Sequence, residues 1–587
     1  MSIKRIRLAL AIWPLAVWGQ TPVISKVVNA ASYGTGTGAT VTAGAFEVLG
    51  SGSIATVFGT NLASATAVAA SVPLPRRLAG TSVSVYGVAA PLFYVSPTQI
   101  NFQWPADSTP AGVSSAQGVV VATASGLSDP YTLAQGGGID FNAVGIFTQN
   151  ATGCGPGAVL NVAVDGSVSL NSPTNSAMPG SYITAYGTGL SLVQNEPPDG
   201  APASINPLSP VYSGGGGAGP VFDFSPVYAP DSAGWEGRAP GYVGLDQFNV
   251  QVPTTVRVGC AVPMPFAGVS NISEPVTISI ANGGGTCVDP PTQGYGEITW
   301  ERTVTTDPNA ATEVTETDTV TVSLQASPGR QAPTPPPYAE AYAETSGPGL
   351  PGLLPQHHAY SGPSCPIPGY RSLGAGTVTA TGPRSAPVQA SSGPLQGGTV
   401  IDGQLLGGYN PISQVQSGQV TGLTLYQATL PNGAIQPGSF TVSASGGADV
   451  GAFQSTVQIG SPIQIQEGWA GRFLQDGVPA LITWTGGDPN TWVTAKLTAQ
   501  NQSDPYDSYP YMWIVPATAG VLTIGTDNLY MQYGQTDIQL IIEVVPDPSQ
   551  TPAFSAPGLT LGGQTLWKYT YRFEGLTVVP SSTPPTQ

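Results

Sequence analysis

The chain has 587 residues, a formal net charge of −17 and only 8 % charged residues, against about 25 % in an average globular protein. An acidic field of this kind repels phosphate backbones and anionic lipid, which argues against nucleic acid as a partner. With 76 glycines, 58 prolines and 41 % hydrophobic content arranged in short alternating runs, the composition fits many short strands better than a disordered chain and predicts an all-β fold of roughly three to five domains.

Lys4, Arg5 and Arg7 precede an apolar run over residues 8–18, and Val17 and Gly19 suit the positions before a signal peptidase cut. Residues 1–19 therefore read as a secretory signal peptide, and the chain as secreted, extracellular or at the cell surface. The run is too short to span a bilayer, and no later segment offers about 18 uninterrupted apolar residues, so no membrane span is expected in the mature chain.

A first unit is expected over 20–138 and a second over 139–292. GSIATVFGTNL at 52–62 returns as GSYITAYGTGL at 180–190, and YVSPTQINFQWP at 94–105 returns as YVGLDQFNVQVP at 242–253. Within the second pair, Gln99, Asn101 and Gln103, and likewise Gln247, Asn249 and Gln251, alternate with apolar residues. That period of two predicts a strand with one wet face, ended by a proline that cannot donate to a ladder. The second unit is about 20 residues longer between its motifs, and the excess holds the glycine run SGGGGAG at 213–219, read as a surface insertion.

Beyond 292 the repeat is lost while β patterning continues. Residues 293–326 read as a hairpin region with a turn-rich tip at 307–318, which Glu313, Glu316 and Asp318 would solubilise. Residues 327–370 read as a Pro/Gly-rich linker. A β domain over 371–462 and a C-terminal β-sandwich domain over 463–580 would follow.

Export makes disulfides permissible. Cys260 and Cys287 bracket the last strands of the second repeat and are expected to pair; Cys154 and Cys365 either pair across domains or stay free. No cysteine has C-x-x-C spacing, so a zinc or thioredoxin-like site is not indicated.

Candidate chemistry is sparse. No G-x-S-x-G nucleophile elbow occurs, and the two histidines, His357 and His358, are adjacent within the Pro/Gly linker. Asp504 and Asp507 lie in a DPYDSYP loop that could hold calcium through oxygen ligands or simply turn the chain. Gly214, Gly216 and Gly219 match a dinucleotide fingerprint in form only, without a βαβ unit. Trp567, Tyr569, Tyr571 and Phe573 alternate on the last strand, either as an exposed stripe that stacks on sugar rings or as one face of a sandwich core. Asn101, Gln103, Asn249 and Gln251 form either a ligand surface or partners for backbone groups. No cofactor is expected.

The GS-x-x-T-x-[FY]-GT-x-L and YV-x-x-x-Q-x-N-x-Q-x-P elements resemble a large family of secreted acidobacterial proteins whose C-terminal domain was first described in Solibacter. GIFT at 145–148, GAVLN at 157–161, DGS at 165–167, NSP at 171–173 and the Cys260…Cys287-VDP ending resemble it too, so the likeness covers roughly 27–290. The Gly-Thr-x-Leu turn is also similar to the immunoglobulin-like IPT/TIG fold. GGADVGAF at 446–453 and ITWTGGDPN at 482–490 resemble a module that recurs in such secreted proteins. The resemblance implies tandem immunoglobulin-like β-sandwich domains joined by Pro/Gly-rich linkers, and carries no catalytic residues. The expectation is an exported, non-catalytic protein for extracellular adhesion or scaffolding, with a protein or glycan partner. The alternatives are a glycan-binding protein using the C-terminal stripe, and a secreted hydrolase with a carboxylate site.

Overall fold

A computed structural model describes residues 20–579 apart from 34–48, 107–117, 133–141, 191–192, 213–218, 221, 223–232, 268–274, 307–313, 330–351, 354–367, 370, 384–387, 395–423, 467–472, 476–478, 500–509, 525–537 and 548–549. The signal segment, His357, His358, Cys365, Asp504 and Asp507 lie outside the described residues, as do Glu313, Gly214 and Gly216. Strands dominate, and no α-helix occurs among the described residues. The fold is all-β, as the alternating pattern predicts.

In the first unit, Ile54–Thr60 is flanked by Val23–Asn29 and Gln99–Gln103, with Leu92–Val95 and Ala67–Val68 beyond. A second sheet holds Val88–Ala89, Ser82–Val85, Val119–Thr123 and Gly126–Leu127. Ala55, Val57, Ile100, Phe102 and Trp104 from one sheet share a buried core with Val83, Val85, Val119 and Val121 from the other. Two sheets each hide one face in this way because alternate side chains of a strand point to opposite sides.

The second unit repeats the scheme. Tyr182–Leu190 pairs with Asp246–Gln251, and Ile183, Ala185, Phe248 and Val250 pack on Val262, Met264, Ile278 and Ile280 of a three-stranded sheet. The registers match residue for residue: Thr56 lies opposite Asn101 and Phe58 opposite Gln99, as Thr184 lies opposite Asn249 and Tyr186 opposite Gln247. The copies diverge at their tyrosines. Tyr94 pairs with Asn101 inside Leu92–Val95, whereas Tyr242 sits in the longer turn between Ala233–Arg238 and Asp246–Gln251.

The remainder does not divide where the sequence suggests. Thr292–Thr306 and Val314–Pro328 form a long antiparallel hairpin, and Thr292–Thr306 also runs parallel to Gly563–Val579. Both strands belong to a 15-stranded sheet that takes in Thr424–Leu430 on one side and Ile538–Pro546 and Thr491–Ala499 on the other. One buried cluster runs from Ile298 to Leu576, so the expected boundary near 462 crosses a continuous core. Trp300 packs on Phe440 at 5.0 Å between ring centroids, and Phe453 stacks on Phe554 at 5.0 Å. The hairpin region is thus the middle of a larger body, because its apolar positions need partners from both later segments.

Strand pairing also shortens the expected tip. Asp318 lies within Val314–Pro328, is fully buried, and accepts a 2.9 Å hydrogen bond from the Ile435 amide. Glu316 pairs with Arg302 at 2.7 Å. These carboxylates fasten strands rather than wet a loop.

Candidate functional site

The repeated amides occupy equivalent positions and do equivalent work. Asn101 Oδ1 accepts from Gln99 Nε2 at 2.8 Å and from Thr56 Oγ1 at 3.2 Å. Asn249 Oδ1 accepts from Gln247 Nε2 at 3.0 Å and from Thr184 Oγ1 at 2.9 Å. Gln103 Nε2 donates to the Gly52 carbonyl at 3.2 Å, and Gln251 Nε2 to the Gly180 carbonyl at 2.9 Å. Each repeat therefore ties its second motif back to the glycine that opens its first. Cross-strand polar pairs of this kind hold register and satisfy backbone groups.

Between the two units the motifs build a buried polar joint. Arg238, 1 % exposed, donates from Nη1 to Asp246 Oδ1 at 2.7 Å and from Nη2 to the Ser51 carbonyl of the first unit at 2.8 Å. Its Nε and Nη2 also reach Glu196 Oε1 at 3.3 and 3.2 Å. Asp246 Oδ2 accepts from the Leu190 amide at 2.8 Å. Thr188 Oγ1 accepts from the Ile54 amide and donates to the Gly244 carbonyl, both at 2.7 Å. Gln103 Oε1 accepts from the Gly200 amide at 2.6 Å, and Asp199 Oδ1 from the Ala106 amide at 2.9 Å.

Close approach is required here. Gly52 has φ +73, and a Cβ on it would stand 2.5 Å from Arg238 Nη2. The guanidinium can reach the Ser51 carbonyl only past a residue without a side chain.

Burial sets the electrostatics of the joint. Desolvation pushes the Glu196 carboxyl up to about 7, against the pull of Arg238 and helped by the nearby Asp246 and Asp199. Its Oε2 is buried with no hydrogen-bond partner, as a carboxyl that holds a proton would tolerate better than a carboxylate. Burial likewise raises Asp246, with Arg238 opposing.

In the C-terminal body, Lys568 Nζ lies 3.0 Å from Glu543 Oε1 and 3.1 Å from Glu301 Oε1. Burial would lower the lysine, but the two carboxylates outweigh it and hold it above its ordinary range. Glu301 is desolvated, yet Lys568 and hydrogen bonds from Thr570, Lys568 and Thr303 bring it below the usual carboxylate value. Two carboxylates this close resemble the spacing of a glycosidase pair, but that chemistry needs one acid with a raised pKa and a sugar between them. Here a lysine fills the gap, and the arrangement locks three strands.

The aromatic stripe turns inward. Trp567 and Tyr569 are buried, and Tyr571 and Phe573 pack against the same core. Tyr569 Oη donates to the Gly460 carbonyl at 3.0 Å and Tyr571 Oη to the Ile463 carbonyl at 2.7 Å. Burial raises both phenols, Tyr571 to about 12. The stripe is thus core, not a sugar-stacking surface. Alternation on one strand reveals a common face but not what covers it.

Cys260 and Cys287 are bonded, with Cα atoms 5.3 Å apart. Cys154 is also disulfide-bonded. No group of three or more His, Cys, Asp or Glu suited to a metal occurs among the described residues. Among the same residues, no helix is long and apolar enough to cross a membrane.

No family model matches the chain, and no curated protein is similar to it. Among solved structures it is similar to dimeric latent PorU from Porphyromonas gingivalis at 9 % identity, covering 71 % of this chain and 34 % of that one, with a TM-score of 0.13. The chain spans about a third of PorU, and a likeness at this level supports no argument about fold or activity.

Proposed function

We propose that this is an exported scaffold or adhesion protein whose two N-terminal repeats, read as immunoglobulin-like sandwiches, act together as a stiff spacer. The observation that carries the reading is the joint at Arg238, where one buried guanidinium binds two carboxylates of the second unit and the Ser51 backbone of the first. Domains joined by linkers alone move independently, whereas a buried charge-assisted contact resists bending because opening it strands charges. The disulfides suit an oxidising compartment, and the signal-like segment over 1–19 suits export. The repeated amides and the lysine-bridged carboxylates are used internally, which favours a structural role over hydrolysis.

The test is cell fractionation with an antibody to the native chain, together with attachment of wild-type and deletion cells to solid surfaces. The reading expects the protein in the extracellular or surface fraction and weaker attachment on deletion. A cytoplasmic location, or turnover of a polysaccharide or ester lost with Glu301→Gln or Glu543→Gln in a folded variant, would overturn it.

A further inference from the structure

Among the described residues, the aromatic stripe of the last strand packs inward, whereas Tyr182 on the outer sheet face of the second repeat and Tyr242 in its turn are exposed. Cross-strand partners share a face, so the registers define it. Val168 and Leu170 pair with Val162 and Leu160; these pair with Tyr182 and Thr184; and those lie opposite Gln251 and Asn249. Tyr186 lies opposite Gln247, and Trp235 opposite Asn249. Their strand neighbours Ile183, Ala185, Phe248 and Val250 point the other way, into the core.

The face is open at Tyr182 and along its aliphatic edge, while Tyr186 and Trp235 are half-buried and Thr184 between the tyrosines is buried. Tyr182 is 48 % exposed, Val168 57 % and Leu170 51 %. Tyr242, 60 % exposed, reaches over from its turn and stands close enough to Tyr186 to affect its phenol. A Cβ on Gly234 would meet Tyr182 Cε1 at 3.8 Å, so the tyrosine ring lies beside the Gly234 position of the neighbouring strand. None of the registered outward positions carries a charge, although the chain as a whole is at −17.

The first repeat shows what is special about the second. At the position of Tyr186 it has Phe58, which is covered by Tyr33 at 5.9 Å between centroids and by the Lys26 ammonium at 5.0 Å. At the position of Tyr182 it has Ile54. The amide ladder is common to both copies, but the open tyrosine ledge belongs to one.

We infer that the outer sheet face of the second repeat, centred on Tyr182, Tyr186 and Trp235 with Gln247, Asn249 and Gln251 between them, binds a neutral polysaccharide. Sugar rings present apolar C–H faces that stack on aromatic rings, and their hydroxyls both donate and accept. Each primary amide offers two donors and two lone pairs, more than the internal ladder uses. Tyr182 and Tyr186 are four residues apart on one strand, about 13 Å, which matches a few consecutive sugar units. Charge selects the polymer: an uncharged ledge on an acidic protein favours a neutral chain over an acidic one. This deepens the adhesion reading, on which it rests, by naming what is adhered to.

The test is affinity electrophoresis and calorimetry of the full-length protein. The panel is a neutral β-glucan, mannan, xylan and galactan, with alginate as the acidic comparison. The expected result is salt-insensitive binding to a neutral polymer, weakened at least tenfold by Tyr182→Ala or Trp235→Ala and largely kept by Tyr182→Phe. Circular dichroism and Tm check that each variant is folded. Absence of binding to every neutral polymer, binding that Tyr182→Ala leaves unchanged, or salt-sensitive binding to alginate alone would each overturn the proposal. So would self-association, seen by sedimentation and lost in Tyr182→Ala, without glycan binding. Cell attachment that survives any of these results would leave the scaffold reading standing and remove only this one.

Discussion

Arg238 is the charged centre of the joint between the two repeats, and Glu196 is held against it. Replacing Arg238 by Met strands Asp246 and half-strands Glu196, so the N-terminal pair should lose about 3–5 kcal/mol. Hydrogen exchange over 49–62 and 182–190 in urea would read the loss, and adding Asp246→Asn should restore part of it. Glu196 gives the joint a pH dependence with a definite sign. Its folded value of about 7 exceeds the ordinary 4.5, so the folded state holds a proton that the unfolded chain releases. Stability from this group is therefore full below about 4.5, falls as pH rises towards about 7, and is flat above. The change should be about 1–3 kcal/mol, read from urea midpoints at pH 5 and pH 8, and Glu196→Gln should flatten it.

At the scale of elements, the Lys568 lock ties Gly563–Val579 to Thr292–Thr306 and Ile538–Pro546. Lys568→Met leaves the buried Glu543 facing a part-exposed Glu301 and should cost about 3 kcal/mol, whereas the triple change with Glu301→Gln and Glu543→Gln should cost less. Melting of the C-terminal body would distinguish them. The Cys260–Cys287 bridge closes a loop of 27 positions, and Cys260→Ser with Cys287→Ser should cost about 3 kcal/mol in the second unit. How much of this was legible in the sequence follows from distance along the chain. The Q-N-Q strands and the Cys260–Cys287 pair depend on short-range patterns, and the repeat supplies a second copy to check against. The inward turn of Trp567 and Tyr569 and the burial of Asp318 depend on strands that arrive from far away. No local period encodes those, so the residues alone do not decide between an open stripe and an inward one, or between a wet tip and a paired strand. The ledge at Tyr182 has no local signature, because its rings come from two strands and a turn and never adjoin in sequence.

On the scale of the whole molecule, the core decides where the chain can be cut. A fragment ending at 291 keeps both N-terminal cores whole and should give dispersed amide resonances and resist proteolysis. A fragment ending at 462 removes Gly563–Val579 from beside Thr292–Thr306 and should be degraded beyond residue 292. The parallel pairing has a further consequence in time. Glu301 and Thr570 are hydrogen-bonded across 269 positions of sequence. Synthesis runs from the N-terminus, so the two N-terminal units can close while the hairpin still waits with one long edge of unpaired N–H and C=O groups. That edge is a template for other chains until Gly563–Val579 is made and occupies it. Placing the closing strand so late makes the C-terminal body a check on its own completion: a product interrupted before residue 563 should carry two finished N-terminal units and a sticky, protease-sensitive end, exposed by the same geometry that holds the finished molecule together.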